Sequence, residues 1–184
     1  FFISSICICV LCLIFYLSLG VYNKKYTQTD FFTTSDFTMS ISNAYVTNLD
    51  YKSKVISNNK YFIILEVNLK TNGSREKQIN IAKPELIIGY NKYHHNSLYA
   101  DQFIDIGNVY NGQYIGSDFV KYLLVYPIDK SDLNKQMTFR YVDNTSITST
   151  EAKTINVEIN PRNLDEVKDT KTYSLGDTID FSDS

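Results

Sequence analysis

An antiparallel β-sandwich of about seven or eight strands, preceded by one N-terminal transmembrane helix, is the fold class this sequence predicts. Three observations carry that reading. The first 22 residues hold no charge and are dense in Ile, Leu, Val, Phe and Cys. After residue 36 the apolar residues recur with period two, the repeat of a half-buried strand. Beyond the amino terminus no stretch keeps a helical period, and turn residues separate the alternating runs.

Residues 1–22 are long enough to cross a bilayer core, which takes about 20 apolar residues as a helix. The run exceeds the usual apolar region of a signal peptide, about 7–15 residues, so a retained signal anchor is expected. Ser18-Leu19-Gly20 leaves cleavage as a signal peptide as the other fate. None of Cys7, Cys9 or Cys12 forms a lipobox, because bulky Ile or Leu precedes each one. Lys24 and Lys25 follow the run and, taken alone, would place the downstream side in the cytoplasm. The basic residues that would precede the run are expected to be missing with the true amino terminus, so the extracellular expectation rests on the domain itself.

Residues 23–35 read as a short polar stalk, and residues 36–160 as the sandwich domain. Phe37, Met39 and Ile41 alternate with Thr38, Ser40 and Ser42 as a first strand. In KYFIILEVNLKTNGS, residues 60–74, the odd positions 61–69 are apolar, and Phe62 and Ile64 add a second apolar face. Its first half therefore reads as a central strand covered on both sides. From Glu66 the second face is expected to meet water, before a tight turn at Asn72-Gly73.

Ile79 and Ile81 flank Asn80, and Pro84 marks a break or edge before Leu86-Ile87-Ile88. Residues 101–106 form a short strand candidate, and 114–126 a longer one with Phe119, Leu123 and Val125 on one face. Residues 129–134 suit one helical turn, with Ser131 as its cap. Met137, Phe139 and Tyr141 alternate with polar residues, as do Ile155, Val157 and Ile159. Residues 161–184 read as a linker and the start of a second β domain. Together with an opening Phe-Phe, they give the expectation of a piece cut from a longer protein.

The order of these features resembles the uncharacterised immunoglobulin-like extracellular domains of membrane-anchored proteins and lipoproteins of low-GC Gram-positive bacteria. The matching segments are FTMSISNAYV, KYFIILEVNLKTNGS, PELIIGY, NGQYIGSDFVKYLLVYPI and QMTFRYVD, across residues 36–143. The resemblance implies a β-sandwich outside the membrane and carries over no functional residue. The missing lipobox is a departure from the lipoprotein members. In a bacterial setting, Asn72-Gly73-Ser74 and Asn144-Thr145-Ser146 are turn chemistry and not glycosylation acceptors.

Several chemistries find no support. With 18 basic and 20 acidic residues the net charge is -2, which lacks the basic stripe of a nucleic-acid interface. All three cysteines lie in the apolar run, so the domain has no disulfide framework and no thiolate zinc site. His94 and His95 are adjacent, which on a strand sends them to opposite faces, and they read as exposed loop or strand-end residues. Asp129 and Asp132 read as solvated acids in a turn. No Gly-x-Ser-x-Gly elbow or phosphate loop occurs. The expectation is therefore no enzyme, no metal and no cofactor.

Residues 89–118 are the candidate binding surface. Tyr90, Tyr93, Tyr99, Tyr110 and Tyr114 are interleaved there with Asn, Gly and Ser, a composition of binding loops. The expected function is a cell-membrane, single-pass protein with its β domain extracellular, in a non-catalytic binding, sensing or envelope-assembly role. Its partners would be the membrane, through residues 1–22, and a protein or glycan ligand at the cell surface, with no nucleic acid. The alternative is an accessory subunit of a membrane transport or secretion complex. Ser4, Ser5, Cys7 and Ser18 would then permit close helix packing in the bilayer. Crosslinking through Cys7, Cys9 and Cys12 separates the two.

Overall fold

Alternation decides which face each strand buries, and pairing then stacks the strands into two sheets. A computed structural model describes residues 25–143 and 153–164. The apolar segment 1–22, the acceptor pattern at Asn144 and the tail beyond residue 164 lie outside the described residues. Among those described, no helix is long and apolar enough to cross a membrane.

The strands are β1 (Lys25–Tyr26), β2 (Phe32–Thr33), β3 (Phe37–Thr47), β4 (Lys60–Thr71), β5 (Pro84–Ile88), β6 (Asn91–His94), β7 (Val120–Asp129), β8 (Met137–Asp143), β9 (Lys153–Ile159) and β10 (Arg162–Asn163). The first sheet has the order β1-β9-β8-β5-β6 and the second β10-β3-β4-β7, with β2 also pairing β3. Most pairs are antiparallel; β1 runs parallel to β9 and β10 parallel to β3. The result is a β-sandwich.

The sheets meet through their alternating apolar faces. Ile63, Leu65, Val67 and Leu69 of β4 share one core with Leu86, Ile88, Met137, Phe139, Tyr141, Ile155, Val157 and Ile159 of the opposite sheet. Each fully buried side chain of this size contributes roughly 1.5–3 kcal/mol. A bulge between Ile41 and Asn43 shifts the register of β3 against β4. Met39 and Ile41 face the core before it and Ala44 after it, while Tyr45 turns to the outer face. The extra residue shifts the alternation by one, so that Ala44 and not Asn43 faces the main core.

The outer core lies on the far side of the second sheet. Tyr45, Phe62, Ile64, Leu123 and Val125 are covered there by Phe103, Val109 and Leu164, with Tyr99, Ala100 and Ile106 packed alongside. The cover includes a 3-10 turn, Ser97–Gln102, whose entry is capped by Asn96 accepting from Leu98 N–H. Residues 101–106 are therefore not a strand. Phe103 and Ile106 pack over a sheet face while Ile104 is exposed, and none of them extends a sheet.

This cover also blunts the free edge of β7. Asn96 donates to the Val125 carbonyl at 2.8 Å, Tyr110 to Leu123 at 2.9 Å, and Leu123 to Asn108 at 2.8 Å. Backbone groups that would otherwise invite another strand are taken up within the chain. Glu66 is buried as well, against expectation. Asn43 Nδ2 donates to its carboxylate at 2.7 Å, and Lys121 Nζ lies 3.4 Å away.

Other boundaries also differ from the sequence reading. Residues 25–34, read as stalk, supply β1 and β2 and place Phe32 in the main core. Asn72-Gly73 makes no tight hairpin. Asn72 instead ties three points together, donating to Thr34 and Asp36 carbonyls and accepting from Thr38 Oγ1. β7 begins at Val120, not Tyr114, and Phe119 just before it is exposed. Ile79 is buried and Ile81 exposed in a connection outside the strands. Pro84 opens β5 at a position β6 does not reach, so its missing N–H costs no ladder bond there. At the same end, Ser35 donates through its N–H and Oγ to the buried Asp143 carboxylate, both at 2.6 Å.

Candidate functional site

The five tyrosines do not converge on one surface. β5 and β6 are joined by Gly89-Tyr90 alone, since Ile88 pairs with Asn91. Gly89 takes a φ of +59°, which a two-residue turn of the primed type requires and glycine supplies without strain. Tyr90 stands fully exposed on that tip. Tyr93 is half-buried, and Tyr99 packs on Phe62 with ring centroids 4.7 Å apart. Tyr114 is 64% exposed in the loop before β7. Tyr110 is wholly buried, its hydroxyl accepting from Ile79 N–H at 2.8 Å, so it cannot be a contact residue as expected.

Tyr93 belongs to a polar clamp centred on Asp132. The carboxylate accepts from Tyr93 Oη at 2.5 Å, Asn91 Nδ2 at 2.7 Å and Lys135 Nζ at 2.6 Å. Those donors, Lys135 foremost, hold the acid down at about 2. Burial, then the bond to Asp132, pushes the Tyr93 phenol up to about 12. Asp132 is thus a buried, saturated acceptor and not the solvated acid expected of a turn. The turn itself is a short 3-10 segment, Lys130–Asp132, entered from Asp129 with no side-chain cap, so Ser131 does not cap it.

The clamp borders a cleft at one end of the sandwich. Val46, Thr47 and Asn48 at the end of β3, Tyr61 at the start of β4, Leu133 to Met137, and Ile159, Asn160, Pro161 and Asn163 line an open cleft of about 770 Å³. Leu133, Tyr61 and Val46 rest partly buried against the main core and form an apolar floor. Asn134, Gln136, Asn160 and Asn163 are exposed around it. The β5–β6 tip lies alongside, since a Cβ at Gly89 would meet Lys135 Cδ at 3.7 Å. Tyr90 and Tyr93 therefore belong to the same end of the molecule as this cleft, and Tyr99, Tyr110 and Tyr114 do not line it.

Amide side chains both donate and accept, and here they surround an apolar floor that includes a tyrosine ring. Such a lining can exchange hydrogen bonds with neutral polar groups while an apolar face rests on its floor. Among the described residues the lining contains no histidine and no carboxylate, and its one ammonium, Lys135, is engaged by Asp132. The sequence reading missed these residues because they stand in or beside short connections, where Asn and Gln are ordinary. What signal there is lies in the repetition of amides at successive strand ends.

The histidines separate as their adjacency on a strand end dictates. His94 is exposed, but His95 is buried, which corrects the expectation of two exposed rings. Its Nδ1 accepts from Val125 N–H at 2.9 Å and its Nε2 meets the Tyr110 carbonyl at 2.7 Å. Burial lowers its pKa from the ordinary value and favours the neutral ring. Among the described residues no three His, Cys, Asp or Glu side chains gather as metal ligands.

No family model matches the sequence, and no curated protein matches it. Among solved structures, the yjhA protein of Bacillus subtilis aligns over 73% of this chain and 99% of its own, at 14% identity and a TM-score of 0.50. A candidate lipoprotein, ycdA, also from Bacillus subtilis, aligns over 71% of this chain at 17% identity and a TM-score of 0.49. The chain spans 38% of that lipoprotein's length. An uncharacterised β-sandwich protein from Clostridium difficile aligns over 75% of this chain and 95% of its own, at 9% identity and a TM-score of 0.48. At these identities the likeness concerns the fold alone.

Proposed function

We propose that this chain is a single-pass membrane protein whose immunoglobulin-like sandwich stands outside the cell and binds a glycan without transforming it. The strand order supports the immunoglobulin-like reading. One sheet runs β3-β4-β7 and the other β9-β8-β5-β6, with β1 parallel beside β9. This order is compatible with the A-B-E and G-F-C-C′ sheets of such domains, with the first strand divided between the sheets. The charge-free run of residues 1–22 supports the anchor.

The cleft is the observation that carries the binding role. Its amides and the Tyr61 ring suit sugar hydroxyl and acetamido groups. Among the described residues its lining brings no base beside a nucleophile. The full chain in detergent micelles, titrated calorimetrically with soluble N-acetylglucosamine oligosaccharides, tests this. Saturable heat that disappears in Asn134→Leu/Asn160→Leu, with thermal unfolding unchanged, supports the reading. Absent heat, or heat equal in the variant, would reject it.

A further inference from the structure

Phe31 and Phe119 stand 58% and 48% exposed with their ring centroids 5.4 Å apart. Lys70 Nζ sits 4.8 Å from the centroid of the Phe119 ring. Exposed apolar rings are common singly, but a paired set with a cation over it forms a patch. Phe31 precedes β2, Phe119 precedes β7, and Lys70 is the partner of Thr38 at the start of β3. All three therefore lie toward the sandwich end where β3 begins. The cleft lies at the other end, beyond Thr47 and Tyr61. Nine residues of strand separate Thr38 from Thr47, about 30 Å at the usual strand rise.

The path of the chain says what faces that patch. β9 runs from Lys153, at the end of β8 marked by Asp143, toward Ile159 in the cleft. Asp143 is bonded to Ser35, just before β3, so Lys153 is at the patch end. β1 is parallel to β9, with Lys25 beside Asn156, so the chain enters the sandwich travelling from the patch end toward the cleft end. Only residues 23 and 24 separate Lys25 from the apolar run of residues 1–22. Two residues reach at most about 7 Å. Lys25 itself lies three strand residues, about 10 Å, inside Lys153, so the run begins no farther out than the patch end. A bilayer holding that run would lie against the patch end of the domain.

We infer that Phe31, Phe119 and Lys70 rest on the surface of the bilayer that holds the chain. This rests on the anchor proposed above. The rings would enter the headgroup region, where aromatic side chains are favoured. Lys70 would meet lipid phosphates. The contact stands the sandwich upright, with the cleft and Tyr90 about 30 Å of strand farther out.

The chain contains no tryptophan, so a single introduced indole reports its own surroundings. Phe119→Trp and, at the opposite end, Tyr90→Trp are each placed in the full chain and reconstituted into phosphatidylcholine–phosphatidylglycerol vesicles. Matched vesicles carry brominated acyl chains, which quench indole only at close range. The expected result is a blue-shifted Phe119→Trp emission that loses most of its intensity in brominated lipid, with Tyr90→Trp unaffected. A chain that floats with the vesicles while neither indole is quenched overturns the inference and leaves the anchor standing. Phe119→Trp emission that is blue-shifted, unquenched and dependent on protein density assigns the patch to a second copy and also overturns it. A chain that fails to float removes the anchor, and the inference falls with it. Circular dichroism confirms that both variants keep the sandwich, as substitutions at exposed sites should.

Discussion

Val125 donates its backbone N–H to Nδ1 of His95, a side chain thirty residues away that also holds the Tyr110 carbonyl through Nε2. One ring thus closes the β7 edge on one side and anchors the covering segment on the other. Because Nδ1 accepts, the proton belongs on Nε2, and the neutral ring satisfies both partners. A protonated ring would turn a donor toward the Val125 N–H.

Folding stability should therefore fall with acid. Burial places the folded pKa below the ordinary value of 6.5, so above that pH both states hold a neutral ring and stability is complete. As pH drops below about 6.5 the unfolded chain takes a proton that the folded chain resists. The slope reaches at most about 1.4 kcal/mol per pH unit. It ends once pH passes the depressed folded value. Urea unfolding between pH ~7.5 and ~5 should show this fall. His95→Ala should remove it, at a cost of about 1–3 kcal/mol for the unpaired Val125 N–H. A variant with the wild-type slope would assign the effect elsewhere.

Asp132 makes the opposite kind of group, an acid whose folded pKa is depressed to about 2. Its contribution is complete above the unfolded value of about 3.9 and is lost as pH falls from there through about 2. Tyr93→Phe deletes one of its three donors. The acid-unfolding midpoint, followed by circular dichroism, should move to higher pH in Tyr93→Phe. Asp132→Asn should lose this acid-dependent component altogether. An unmoved midpoint in Tyr93→Phe would mean that the hydroxyl carries no part of the clamp.

The covering segment over the second sheet is held chiefly by its rings. Phe103 is buried and lies 5.6 Å from Phe62, ring to ring. Phe103→Ala should cost about 3–5 kcal/mol, as removal of a buried phenylalanine does. The loss should be local before it is global. Hydrogen exchange at Asn96, Tyr110 and Leu123, whose amides seal the β7 edge, should accelerate more than exchange within β8. Uniform acceleration would show that cover and sandwich open as one unit.

The two-sided apolar pattern of β4 was legible because alternation reports burial residue by residue, and β4 does lie between β3 and β7. What alternation cannot report is burial by an irregular segment. Glu66 ends the apolar face in sequence, yet Asn43 and Lys121, on neighbouring strands, enclose it. Phe103 and Ile106 read as strand residues because their burial has no period. Asn72 looked like a turn former because its long-range bonds to Thr34, Asp36 and Thr38 leave no local mark. The cleft was least legible, since its residues come from separate strand ends and connections that only the sheet order brings together. Tyr110 illustrates the reverse. Its composition-rich surroundings pointed outward, but a phenol with a backbone partner is readily buried.

Two buried tyrosines allow the value of that partner to be measured. Tyr126 is wholly buried in the main core, and its hydroxyl has no hydrogen-bond partner among the described residues. Tyr110 is equally buried, but its hydroxyl accepts from Ile79 N–H at 2.8 Å. An unpaired buried hydroxyl costs about 1–3 kcal/mol, whereas removing a paired one strands its donor. Tyr126→Phe should therefore raise the stability of the sandwich by about 1 kcal/mol or more, because it deletes the unsatisfied group and keeps the ring. Tyr110→Phe should lower it by about 1–3 kcal/mol, leaving Ile79 N–H without an acceptor. Paired urea titrations at neutral pH read both. If Tyr126→Phe is destabilising, its hydroxyl is bonded to a group beyond the described residues or to a buried water. Opposite signs from the same atomic deletion would show that pairing, not burial, decides the worth of each phenol.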